Sequence, residues 1–513
     1  MASLAGWMVS MPMVWAQDKP ASPASDASEP FENSSLNGET ALLILLAEMQ
    51  LNRGDFGAAY SMMFEAAKKT GDEGLYKRAV DIALSARNGN LALDAARQWK
   101  KASPTSRTAN LHVLQILVAL NQLPESLMPL RAYVQLAPES EQVLLINGMP
   151  QIFAQAKDPE LAAAVVEQAL QPFVDKPLTA AASWTAIGRM QVSAKKPSQA
   201  LASVKKALAR QPDAMEPGFL ALELYAAGIA EAEDLLKTVL TDKSPPHLRL
   251  SYARALIDNQ RIALAKSQLQ ALNQSHPDFA DAWLLMGALT MEQVQYDEAK
   301  TALLRFIEIE KTKEDGRLSQ AYLMLSQIAT KEKKPADAEA WLNKIEDPEA
   351  ATQVQVERAN VLASRGDIAK ARALLAQLPD NTPQAKRAKL QAELKLLRDH
   401  KLFQAAYELL RKAADTEPED LDLRYELAMM AEKINRIDEM EKLLRSVIAE
   451  RPSFEHAYNA LGYALADRNI RLKEARELIV QALDLAPEDP MITDSLGWVE
   501  FRMGNKQSAL AIL

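Results

Sequence analysis

A period of about 34 residues runs along nearly the whole chain, and it constrains the fold more than any other feature. The stretch Trp184 to Gly188 recurs as Trp283 to Gly287 and again as Tyr458 to Gly462. In each, an aromatic stands four residues before a glycine, and an apolar residue directly precedes that glycine. An alanine follows Gly188 and Gly287 by twelve residues, at Ala200 and Ala299, and follows Gly462 by thirteen, at Ala475. Trp184, Ile187, Gly188 and Gln191 fall on one helical stripe, and Ala200, Val204 and Ala207 form a matching stripe on a second helix. The pattern therefore predicts pairs of helices, with a small residue where the two helices of a pair cross closely.

The small-residue position recurs near Ala47, Ala83, Leu114, Gly148, Gly188, Ala221, Ala253, Gly287, Ser326, Ala359, Leu394, Ala428, Gly462 and Gly497, at spacings of 31 to 40 residues. Prolines at Pro212, Pro277, Pro418, Pro452 and Pro487 are expected to end second helices, since proline cannot continue a helix interior. Gly54, Gly89, Gly366 and Gly504 fall where first helices should end, in the left-handed conformation that glycine supplies. This aromatic, Leu-Gly, Ala, Pro signature resembles the tetratricopeptide repeat (TPR). The expected fold is all-α: a TPR superhelical solenoid of about fourteen helix-turn-helix pairs, the last truncated because Leu513 falls midway through a second helix. A solenoid needs a polar cap over its last apolar face, so the natural protein is expected to continue.

Composition agrees with helix throughout. Of 513 residues, 48% are hydrophobic, 6% aromatic and only 17 are glycine. The net charge of −9 argues against sequence-independent nucleic-acid binding, which needs a basic footprint. With no cysteine, the chain has no disulfide, thiolate metal site or cysteine nucleophile.

Ahead of the repeats, Leu4 to Trp15 is an apolar run too short to span a bilayer, and it fits a secretory h-region. Val14-Trp15-Ala16 supplies an acceptable cleavage site, although no Lys or Arg precedes the run. Residues 1–16 are thus expected to be a signal peptide and 17–36 a disordered Pro/Ala/Ser-rich linker. Degenerate TPR-like repeats are expected over 37–180 and a continuous TPR solenoid over 181–513, with the mature chain in the periplasm.

Motifs of chemistry are missing. No GxGxxG, P-loop, HExxH or GxSxG occurs. His112, His247, His276, His400 and His456 stand singly, without metal-ligand spacing, so no catalytic residue, metal or cofactor is expected. Acidic clusters such as Glu417-Pro418-Glu419-Asp420 sit at inter-repeat turns, where carboxylates complement the helix dipole. The candidate binding residues are those on the inner, concave face, at about the second, fifth, ninth and twelfth positions of first helices. In the last three repeats these are Tyr425, Met429, Asn459, Tyr463, Asp494, Trp498 and Phe501, an aromatic and Met-rich wall suited to an apolar or extended peptide segment. The competing reading packs Trp498 and Phe501 against chain beyond Leu513. A carboxylate clamp of the chaperone-receptor kind would need basic residues beside Asn459, which are not there.

Two stretches carry a more specific likeness: Asn33-Ser34-Ser35-Leu36-Asn37-Gly38-Glu39 through Ala95-Ala96-Arg97-Gln98-Trp99, and Ala457 to Arg468 followed by Asp494-Ser495-Leu496-Gly497-Trp498. They resemble large proteobacterial TPR proteins of the LbcA type. Members of that family are outer-membrane lipoproteins that act as adaptors for a periplasmic carboxy-terminal processing protease, CtpA, and bring it cell-wall hydrolases. The resemblance implies a non-enzymatic adaptor with those partners. Lacking cysteine, this chain has no lipobox, which implies a soluble periplasmic protein or one held at the outer membrane by partners. A scaffold for envelope assembly or polysaccharide or protein export is the alternative, and the recognition arm of a catalytic domain beyond Leu513 a third.

Overall fold

The computed structural model describes residues 37–512, except 213, 242, 243 and 314–316. The expected signal peptide and linker lie outside the described residues. Within them the chain is all-α, with twenty-eight α-helices and no strand. It falls into two compact units, one ending at Thr241 and the other following it.

The first unit holds six helix pairs. These are α1 (Gly38–Asn52) and α2 (Phe56–Thr70), α3 (Glu73–Ser85) and α4 (Gly89–Ala102), and α5 (Arg107–Ala119) and α6 (Leu127–Gln135). Then come α7 (Glu139–Ile152) and α8 (Pro159–Leu170), α9 (Ala180–Ser193) and α10 (Pro197–Arg210), and α11 (Met215–Ala226) and α12 (Ala232–Val239). Asn37 opens the series with a capping box, its side chain accepting from the Thr40 amide at 2.9 Å. Helices α7 and α8 both pack on α9, so the fading of the repeat signature near residue 180 is not a break in packing.

The second unit holds eight pairs. They begin with α13 (Pro246–Asp258) and α14 (Ile262–Ser275), α15 (Ala280–Glu292) and α16 (Tyr296–Glu310), α17 (Leu318–Lys331) and α18 (Pro335–Leu342), and α19 (Ala351–Ser364) and α20 (Ile368–Ala376). They end with α21 (Pro383–Asp399) and α22 (Phe403–Thr416), α23 (Leu421–Lys433) and α24 (Ile437–Glu450), α25 (Glu455–Asp467) and α26 (Leu472–Leu485), and α27 (Pro490–Arg502) and α28 (Lys506–Ile512).

The small-residue rule has a direct geometric cause. A Cβ placed on Gly188 would lie 2.6 Å from Leu220 Cδ2 and 3.5 Å from the Ala200 carbonyl. On Gly287 it would lie 2.7 Å from Leu303, and on Gly462 2.6 Å from Ile479 Cγ1 and 2.8 Å from the Ala475 carbonyl. The alanine that follows each glycine in sequence is thus the backbone it touches across the pair. Gly148 breaks the rule: it is exposed with nothing within 4 Å of a Cβ, while its neighbours Ile146 and Met149 are buried. In that repeat α7 and α8 each pack on α9 and not closely on one another, so no small residue is needed at Gly148.

Helix ends follow the prolines. Second helices stop at Arg210, Ser275, Thr416, Glu450 and Leu485, each two residues before Pro212, Pro277, Pro418, Pro452 and Pro487. The turns inside pairs are less uniform. Gly54, Gly366 and Gly504 are left-handed as expected, with φ of 82°, 87° and 90°. Gly89 is not, because it is the first residue of α4 and Arg87 takes the positive φ of 54° instead. Most other pairs place a non-glycine there, including Asn121, Lys195, Gln260, Lys401 and even the β-branched Val294 at φ 61°.

Successive repeats are also joined by ion pairs about one period apart. Glu48–Arg78, Asp281–Arg317 and Arg387–Asp420 each close at 2.6 Å, as does Asp422–Arg451 inside one pair, from α23 to the cap of α24. Glu441 on α24 accepts from Arg445 of its own helix and from Arg471, which precedes α26. These guanidinium hydrogen bonds, led by Arg471, hold its carboxyl down at about 2.

Candidate functional site

Along the second unit, first helices pack on the first helices of following repeats, as α15 on α17, α17 on α19, α19 on α21 and α25 on α27. The residues these first helices leave open form a solvent-facing surface of the unit. Its best-developed stretch lies on α23, α25 and α27, above a core of Leu427, Ala428, Leu461, Ala464, Ile479 and Val499.

The seven sequence candidates divide by exposure. Tyr463 is 40% exposed, Phe501 49% exposed, and Asp494 is exposed as well. Tyr425, Met429 and Trp498 are half-buried and pack against that core. Asn459 is half-buried too, and its Oδ1 is shut from solvent without a hydrogen bond, as is the Trp498 indole nitrogen. Tyr463, Asp494 and Phe501 are therefore the ones open to solvent, while Tyr425, Met429, Asn459 and Trp498 are partly covered.

Three aromatic stations lie along this face. Tyr425 meets Phe454 at 5.1 Å between ring centroids, and the Arg451 guanidinium sits 4.0 Å over Phe454. Trp498 stacks on Phe501 at 5.7 Å, with the Arg502 guanidinium 5.5 Å from the Trp498 ring. Between them stands Tyr463, with no ring partner or cation among the described residues. Burial raises the Tyr463 phenol above its usual range, and the carboxylates of Asp467, Asp494 and Glu432 raise it further. Tyr425 is raised by burial and by Glu426, Glu432 and Glu455. The face is thus aromatic and negative together. Asp467 was not legible as a site residue from sequence; its place four residues after Tyr463, one helical turn on, is the signal that identifies it.

Elsewhere the described residues offer little for chemistry. They contain no group of three or more His, Asp or Glu able to hold a metal ion, and no helix long and apolar enough to cross a membrane. An open cleft of about 310 Å³ beside Trp341 is lined by Lys300 and Lys334, both already paired with Glu332. Another of about 270 Å³ holds Trp184, with Lys206 3.9 Å over its ring.

Stacked helix pairs that present one open, side-chain-rich face define a TPR-type protein-binding scaffold. Residues 397–462 match the model of the tetratricopeptide repeat family. Over 189 residues the chain is 35% identical to the TPR repeat-containing protein PA4667 of Pseudomonas aeruginosa strain PAO1. That match takes in 37% of this chain and 32% of the relative, so it spans about a third of the relative's length. Among solved structures, the yeast Tom70 crystal structure aligns over 91% of this chain and 96% of its own, at 13% identity and a TM-score of 0.35. The APC/C hetero-tetramer Cut9–Hcn1 aligns over 90% and 96%, at 13% identity and a TM-score of 0.27.

Proposed function

We propose that this chain is a non-enzymatic periplasmic adaptor that holds a carboxy-terminal processing protease, its cell-wall hydrolase substrates, or both, on the face formed by α23, α25 and α27. The open aromatic wall at Tyr463 and Phe501, beside Asp494, carries the binding part of this reading. Large aromatics in contact with solvent on a repeat scaffold are the side chains that dominate protein interfaces. The choice of protease and hydrolase rests on the LbcA-type resemblance of the two chain ends, and export rests on the apolar run before Ala16. Holding enzyme and substrate together raises their effective concentration without any chemistry by the scaffold.

The test is an affinity capture from a bacterial envelope fraction on the chain from Gln17 onward, read by mass spectrometry. Recovery of a carboxy-terminal processing protease with cell-wall hydrolases supports the adaptor. Recovery of synthase or secretin-like components without protease overturns it in favour of an envelope-assembly or export scaffold. Tyr463→Ala with Phe501→Ala should weaken capture and leave helicity intact.

A further inference from the structure

The middle aromatic station differs from its neighbours in a way that specifies a ligand. Phe454 and Trp498 are each covered by a guanidinium of this chain, from Arg451 and Arg502. Tyr463 has no such cover among the described residues, and carboxylates act on it from three directions: Glu432 from α23, Asp467 one turn on in its own helix and Asp494 from α27. Glu432 is engaged by Arg468 at 3.5 Å. Asp467 and Asp494 are exposed and make no ion pair or side-chain hydrogen bond among the described residues. Two open carboxylates beside an open ring hold a cation by Coulomb attraction and by the negative face of the ring. Around them lie apolar surfaces, Phe501 and Met491, the latter 72% exposed.

We propose that the Tyr463 station takes a lysine or arginine side chain from an extended partner segment, its charge between Asp467 and Asp494, with neighbouring apolar residues on Phe501 and Met491. The partner sequence is thus a basic residue set among apolar ones. This deepens the adaptor reading and rests on the same face, but it fixes the chemistry of the bound segment whatever protein supplies it. The opposite arrangement, a basic groove for acidic tails, is excluded at this station by the sign of its open charges.

A random-peptide display library panned on the full chain tests the proposal, with the Asp467→Asn, Asp494→Asn double variant panned in parallel. The wild type should enrich peptides with Lys or Arg flanked by Leu, Ile, Val or aromatics, and the variant should lose the basic preference. The best wild-type peptide, labelled and followed by fluorescence anisotropy, should bind the variant about tenfold more weakly, as expected for two exposed charge pairs. Both substitutions are at exposed positions, so circular dichroism melting should not move. Enrichment of acidic or uncharged peptides, absence of enrichment, or equal affinity for the variant overturns the proposal. Envelope capture repeated with the variant separates the two readings. If the protease is recovered but the wild type shows no basic preference, the adaptor stands and the cationic station falls; if the basic preference holds and no protease is recovered, the reverse is true.

Discussion

Gly462→Ala is the most direct test of how the repeat closes. The added Cβ would meet Ile479 Cγ1 at 2.6 Å, Ile479 Cδ1 at 3.3 Å and the Ala475 carbonyl oxygen at 2.8 Å. Ile479 is fully buried and, being β-branched, has little rotamer freedom. The carbonyl belongs to α26 and moves only if that helix does. Overpacking of this kind costs about 1–3 kcal/mol, against about 1 kcal/mol gained by replacing glycine with alanine inside a helix. The backbone contact puts the cost at the upper end, for a net loss of about 1–2 kcal/mol. Gly148→Ala makes the same chemical change where nothing lies within 4 Å, so only the helix term remains and it should stabilise α7 by about 0.5–1 kcal/mol. Repeat proteins open locally, so the readout is hydrogen exchange by mass spectrometry, repeat by repeat. Gly462→Ala should speed exchange in α25 and α26 by about five- to thirtyfold, and Gly148→Ala should slow it in α7 by about two- to fivefold. If both variants shift exchange in the same direction, the close crossing is not what selects glycine.

Other outcomes follow from the same structure. Val294→Gly should stabilise the α15–α16 pair by about 1 kcal/mol, because a β-branched residue is strained at φ 61°; a lower melting temperature would refute this. Glu441 has its folded pKa depressed to about 2 from 4.5. Its contribution is therefore present above the unfolded value and lost as pH falls through the folded one. Protection of α24 and α26, taken relative to the intrinsic exchange rate at each pH, should fall between about pH 4.5 and 2 in the wild type, and this pH dependence should flatten in Glu441→Gln. Arg78→Ala removes the 2.6 Å pair to Glu48, and at an exposed site the loss should not exceed about 1 kcal/mol, measured by urea unfolding.

The fold was legible because one geometric demand, close crossing of helices, is met at a fixed place by glycine in three repeats and by alanine in several others. Where that demand relaxes, the reading slips. Gly148 looks like a crossing glycine by spacing, but α7 packs on α9 and not closely on α8, with Ile146 and Met149 buried in its place. Turns were legible only where glycine marks them, because Lys195, Gln260 and Val294 adopt the same left-handed geometry without announcing it. For the candidate site, repeat position placed Tyr463, Asp494 and Phe501 on one face. It did not tell that Asn459 Oδ1 and the Trp498 indole nitrogen are sealed, since accessibility depends on neighbouring repeats. Asp467 lies one residue past the expected positions, and only its approach to Tyr463 reveals it.

The ion pairs set one period apart have a mechanical consequence. Glu48–Arg78, Asp281–Arg317 and Arg387–Asp420 each tie the first helix of one repeat to the first helix of the next, or to its cap, and so add to the packing that holds neighbouring repeats together. Exposed pairs weaken as salt rises. Concentrated electrolyte should therefore loosen neighbouring repeats slightly while the apolar packing that carries most of the stack is unchanged.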